Sequence, residues 1–186
     1  MGTHHKTDKD LQLELQQIAA AKENPARFNV LYDRYYKSIF VFIYRRTADE
    51  ELTADITSQV FLKALINIKK YEFKGVPFSA WLFRIAFNEV NMYFRKHKAD
   101  RIVSIDQKGV AQIAQETDLN ENAEIIQKMM SALKKLHADD IHLIELRYFE
   151  KLSFAEVGII IGVTENNAKV KVYRIIDKLK KIMTGK

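Results

Sequence analysis

The chain has 186 residues, 47% of them hydrophobic, enough for one medium core or two small ones, and 30 Lys and Arg against 24 Asp and Glu give it a formal charge of +6. That excess points weakly to a polyanionic partner. The lack of cysteine excludes disulfides, thiol catalysis and zinc fingers; with no apolar run near the roughly 20 residues of a bilayer span and no signal peptide after Met1-Gly2-Thr3-His4-His5, a cytoplasmic protein without a membrane span is expected.

Few glycines and prolines punctuate the chain, and the apolar residues between them recur at helical spacing, so the predicted class is all-α, with two small helical domains joined by a linker. Residues 1–9 read as a disordered terminus. A first short helix carries Leu11, Leu15 and Ile18 and ends before Asn24-Pro25, where proline suits the first turn of the next helix. The second helix aligns Phe28, Leu31, Tyr35, Ile39 and Phe42 on one face. The third runs from about Asp49 with Leu52, Ile56, Val60, Ala64, Leu65 and Ile68 in register. Lys70 to Ser79, containing Gly75 and Pro77, is a loop. Helical spacing resumes with Phe78, Trp81, Leu82, Ile85, Ala86, Tyr93 and Phe94 and fades after Arg95-Lys96-His97-Lys98, closing a first domain over residues 10–98.

From 99 to 122 the periodicity is lost among Asp106, Gln107, Gly109, Gln112, Gln115, Glu116, Asp118 and Glu121, and the segment reads as an interdomain linker, with Ile102, Val103 and Ile105 leaving room for a short strand-like piece. Residues 123–186 form the second domain, in which Ile126, Met129, Leu133 and Leu136 mark one helix and Ile141, Ile144 and Tyr148 the next. His137 and His142 lie off the spacing of three or four that puts two ligands on one helical face. Both read as ordinary polar helix residues, and no metal or other cofactor is expected.

Ser153-Phe154-Ala155-Glu156 has the pattern of a capping box and starts a helix that Gly162 stops; Thr164 can cap another just beyond. Helix, glycine turn, helix is the outline of a helix-turn-helix, with Gly158 where the two helices must approach closely. The last helix bears an apolar stripe of Ala168, Val172, Ile175, Leu179 and Ile182 and a polar stripe of Asn167, Lys171, Arg174, Lys178 and Lys181. By charge alone it fits a solvated basic helix equally well; after a glycine turn it fits a recognition helix better. Asn166, Asn167 and Lys169 would then reach base edges, and Arg174 and the later lysines would meet phosphates.

These residues resemble the sigma factors of bacterial RNA polymerase. Ala132-Leu133-Lys134-Lys135-Leu136, Leu146-Arg147-Tyr148-Phe149-Glu150, Ser153 to Gly158 and Thr164 to Arg174 are similar to region 4 of that family. Leu31-Tyr32 with Tyr35, Ala54 to Ala64, Trp81 to Asn88 and Arg95-Lys96 are similar to region 2. Having these two regions alone is similar to the extracytoplasmic-function group. The resemblance implies a factor that directs core RNA polymerase to promoter DNA and helps open it, and it implies an anti-sigma partner and no small-molecule substrate.

The resemblance also assigns roles. Asp55, Ser58, Gln59, Phe61 and Lys63 would dock on the clamp helices of the polymerase's largest subunit, although Ile56 and Phe61 also fit a core. Phe73, Lys74 and Phe78 would take a base flipped from the minus-ten element, and Arg84, Asn88, Asn91, Arg95 and Lys96 would line the same DNA. Trp81 fits a core position. Ser153, Asn166, Asn167, Lys169, Lys171, Tyr173 and Arg174 would read the minus-thirty-five duplex, where Asn166-Asn167-Ala168 departs from a frequent Gly-Thr-Val. The acidic linker residues Asp106, Glu116, Asp118 and Glu121 suit a strand in a nucleic-acid channel or a plain solvated tether. The alternative to a sigma factor is a stand-alone helix-turn-helix regulator with a sensing or dimerising first domain. No carboxylate pair, activated nucleophile or phosphate loop stands out, so no enzyme activity is expected.

Overall fold

The structure, a computed structural model, describes residues 8–97, 107–116 and 123–184. Every regular element among the described residues is helical, and the chain divides between residues 97 and 107 into two compact units. Residues 1–7, together with Ile102, Val103, Ile105, Asp106, Asp118 and Glu121 of the expected linker, lie outside the described residues.

The first unit runs α1 (Asp8–Glu23), a 3-10 turn (Pro25–Phe28), α2 (Asn29–Thr47), α3 (Glu50–Asn67), a second 3-10 turn (Ile68–Lys70) and α4 (Phe78–His97). Its boundaries follow local chemistry. Asn24 accepts the N–H of Ala26 ahead of Pro25, and Asp49 accepts that of Leu52 to start α3. Between α2 and α3, Ala48 adopts a left-handed conformation with φ of 49° so that its N–H can close on Tyr44. Leu31, Ile39, Phe42 and Ile43 of α2, Val60 and Ala64 of α3, and Phe78, Leu82, Ala86 and Val90 of α4 are all fully enclosed. Hydroxyls join the helices too: Thr47 and Thr53 meet at 2.7 Å, and Thr57 donates to the Thr53 carbonyl at 2.7 Å. Helix α1 lies against this core through Ile18 and Ala21 and is longer than the short helix its apolar residues suggest.

The second unit runs α5 (Gln107–Glu116), α6 (Ala123–Leu133), α7 (Ala138–Ile144), one π-helical turn (Glu145–Phe149), α8 (Phe154–Ile161) and α9 (Glu165–Thr184). Two expectations are corrected here. The stretch 107–116, read as linker, is a helix whose Val110, Ile113 and Ala114 are fully buried, and a Cβ on Gly109 would fall within the Phe149 ring. The glutamines among its residues hide an apolar face only three or four residues long. His142, read as an ordinary polar helix residue, is buried in the unit: residues 141–146 are all buried, and His142 sits 3.6 Å from the equally buried Glu145. His137, which precedes α7 as its N-cap residue, is exposed.

Candidate nucleic-acid interface

In the second unit the helix-turn-helix is built as its sequence implies. Ser153 Oγ accepts from the Glu156 N–H at 3.2 Å, and Glu156 Oε2 accepts from the Ser153 N–H at 2.8 Å. Gly162 ends α8 in the left-handed region with φ of 77°, and Thr164 Oγ1 accepts from the Asn167 N–H at 3.3 Å to begin α9. A Cβ on Gly158 would stand 2.8 Å from the Val163 carbonyl oxygen, so the close turn requires glycine or a local shift.

Helix α9 buries Ala168, Val172, Ile175, Ile176 and Leu179 and exposes Asn166, Asn167, Lys169, Lys171, Tyr173 and Arg174. Lys169 lies 6.0 Å from the centroid of the Tyr173 ring, which itself packs near Phe154. The outward residues of its first three turns thus combine amide, cation and aromatic groups, the types that meet base edges and phosphates. Two of the expected contact residues have partners within the unit. The Ser153 hydroxyl also donates to Glu156 at 2.8 Å and is engaged in the cap. Lys178, grouped with the phosphate lysines, is held by Asp140 of α7 at 2.8 Å.

In the first unit the Lys70–Phe78 loop has buried ends and an exposed middle. Tyr71 and Phe78 are enclosed, their ring centroids 5.0 Å apart, and half-buried Trp81 completes a three-ring cluster with them. Phe78 therefore packs inward against Tyr35, Tyr71 and Trp81 and is not the exposed stacking ring expected. Phe73, 43% exposed, and Lys74 project from the middle of the loop. Arg84, Asn88, Asn91 and Arg95 recur at spacings of four, three and four along α4, with Lys96 beside them; Asn91 is half-buried and the rest are exposed. A pocket of about 360 Å³ is lined by Lys63, Asn67, Lys70, Trp81, Ile85, Asn88 and Glu89, bringing Lys63 of α3 and Asn88 of α4 to one place.

On α3, Asp55, Ser58 and Gln59 are exposed, and Ser58 donates back to the Ala54 carbonyl at 2.9 Å. Phe61 is a correction: it is 3% exposed and surrounded by Phe28, Tyr32 and Tyr36, so it supports the face from behind. Lys63 is partly exposed but tied to the nearly buried Glu89 at 2.6 Å. Sequence reasoning missed Leu62 and Ile66, which are 56% and 67% exposed and continue the line of Asp55 and Gln59. Their phase, opposite to Ile56, Val60 and Ala64, was the available signal. Among the described residues no group of acids and histidines is arranged to hold a metal ion, and no helix is long and apolar enough to cross a membrane.

A helix-turn-helix with a cationic outer face, in one chain with a helical unit that presents aromatic and basic residues from an anchored loop, defines a DNA-binding transcription factor. Residues 31–100 match Sigma-70 region 2, and residues 132–181 match Sigma-70 region 4. The chain belongs to the sigma-70 family, in its extracytoplasmic-function group, and is a sigma factor directing RNA polymerase to promoters. It is 28% identical to the sigma factor BldN of Streptomyces coelicolor, over 95% of this chain and 67% of that protein. It is also 28% identical to SigM of Bacillus subtilis, over 81% of this chain and 91% of that protein. The fold matches CnrH, solved in complex with the cytosolic domain of CnrY, with a TM-score of 0.60 at 20% identity over 92% of this chain and 97% of that one. It matches RpoE of Bartonella quintana, solved with the anti-sigma factor NepR, with a TM-score of 0.54 at 20% identity over 84% and 96%. A region 2 match over α2 to α4 of the first unit disfavours the stand-alone regulator.

Proposed function

We propose that the two units divide promoter recognition, α9 reading the minus-thirty-five element as duplex while the Lys70–Phe78 loop and the outer face of α4 hold the opened minus-ten strand. The observation that carries the minus-ten reading is Phe73 beside Lys74, exposed between buried anchors: a ring for a base and a cation for its phosphate. Arg84, Asn88, Arg95 and Lys96 extend a polar track from it. On this reading the chain is an initiation factor with no catalysis of its own, and the polymerase performs the chemistry.

The face of α3 that joins Asp55, Ser58 and Gln59 to Leu62 and Ile66 is the proposed dock for the polymerase clamp helices, polar toward its start and apolar toward its end. An anti-sigma partner, as RpoE has in NepR, is proposed to cover that face. Binding to single-stranded minus-ten DNA, measured on the reconstituted holoenzyme, tests the central claim. Phe73→Ala should weaken it by the value of one stacked base, about 1 to 3 kcal/mol, without lowering stability. Unchanged binding would remove the loop from the DNA site.

A further inference from the structure

The loop after Lys70 has little of its own to hold it. Residues 72–75 are exposed, and Gly75 takes a left-handed conformation with φ of 75° in open space. Both ends are held from α1, a helix far earlier in the chain. At the carboxyl end, Glu14, 2% exposed, accepts the N–H of Phe78, the first residue of α4, at 3.1 Å, while its other oxygen accepts the Tyr35 hydroxyl of α2. A negative charge in that place suits the N–H groups and dipole of a helix start. At the amino end, Lys22 donates to the Tyr71 carbonyl at 2.6 Å, with its ammonium 6.0 Å from the centroid of that ring.

Glu14 and Lys22 lie two turns apart on α1, about 12 Å of helical rise, so one rigid rod sets the separation of the loop's ends. Between them on the same helix, Ile18 and Ala21 bury the apolar face of α1. A buried carboxylate is costly unless it is hydrogen-bonded, and here one oxygen holds the loop's exit at the Phe78 N–H while the other holds the hydroxyl of Tyr35, whose ring packs on Phe78. A loop held at both ends loses less freedom when DNA orders it.

We propose that Glu14 and Lys22 are positioning residues for promoter opening: they grip the two ends of the loop and set the pose in which Phe73 and Lys74 meet the minus-ten strand. This rests on the minus-ten reading of the loop. The test uses the full chain bound to core RNA polymerase, with the non-template single strand of a promoter that the wild-type holoenzyme selects from a randomised duplex library. In Glu14→Gln and Lys22→Met, amide hydrogen exchange at residues 72–80 should rise about tenfold, and affinity for the single strand should fall about five- to tenfold. Lys22→Arg, which keeps a donor, should restore both. Affinity for core polymerase should stay within about twofold in all of them, since a general loss of folding would lower it in step.

Unchanged exchange at residues 72–80 in both variants overturns the grip, as does core affinity that falls together with strand affinity. Phe73→Ala serves as the separate control. If it leaves strand affinity unchanged while Glu14→Gln still loosens the loop, the grip is real but the loop's DNA role falls, and with it the purpose given to α1.

Discussion

Ser153 distinguishes a residue that shapes the helix-turn-helix from one that reads DNA. Replacing it with alanine removes the acceptor for the Glu156 N–H at 3.2 Å and the hydroxyl donor to Glu156 Oε2 at 2.8 Å, leaving the Ser153 N–H on that carboxylate. Loss of an N-cap serine costs about 1 kcal/mol, and loss of a hydrogen bond to a charged, nearly buried group costs about 1.5 kcal/mol. The two share one geometry and do not add fully, so Ser153→Ala should destabilise the second unit by about 2 kcal/mol. For a unit of this size that is a drop of about 10 °C in its melting temperature. The only tryptophan, Trp81, belongs to the first unit. Its fluorescence should therefore not register the change, whereas urea unfolding followed by circular dichroism should. Duplex binding in the cold, with the protein still folded, should hold within about twofold. An unmoved unfolding curve together with a roughly tenfold loss of duplex affinity, about 1.4 kcal/mol, would refute the cap and return Ser153 to the DNA surface.

Ala48→Gly should stabilise the first unit by about 1 kcal/mol, because glycine adopts the left-handed conformation there without the Cβ penalty and Ala48 is exposed; the urea midpoint of Trp81 fluorescence reads it. Lys171→Ala and Arg174→Ala should each reduce the slope of log affinity against log salt on duplex promoter DNA by about 0.9. Lys178→Ala should leave that slope unchanged, since Asp140 already holds its charge. Burial, with the Glu14 charge adding to it, pushes Tyr71 up to about 12 from 10.0 and raises Tyr35 as well. The unfolded chain then loses these protons first, so the stability they confer is complete below about pH 10 and drains away as pH rises toward 12. The fluorescence midpoint should fall above that pH, and Tyr71→Phe should flatten the fall.

What the sequence revealed was local or periodic. The capping box, the Gly162 stop and the two stripes of α9 depend on neighbours within four residues, and each appears in the structure as its residue types demand. Phe78 and Phe61 misled because an aromatic ring suits a core or a stacked base equally, and only the rings around them decide which. Helix α5 escaped notice because Val110, Ile113 and Ala114 are too few to give a clear period among glutamines. Lys63 with Glu89, Lys178 with Asp140 and Glu14 with Phe78 are 26, 38 and 64 residues apart, and no local pattern announces such pairs. The exposed Leu62 and Ile66 were legible as apolar residues out of phase with their own core stripe.

Helix α1 also bears on where this protein can be cut. The region 2 match begins at residue 31, so a fragment trimmed to that border would lack Glu14, Ile18, Ala21 and Lys22. The trimmed piece would keep every matched residue, yet the hydroxyl of Tyr35, the carbonyl of Tyr71 and the N–H of Phe78 would each lose the partner that α1 supplies. It would also uncover the apolar ground on which α1 rests. The region 2 match starts at residue 31 and α1 at Asp8, so the matched border falls 31 − 8 = 23 residues inside the packed unit.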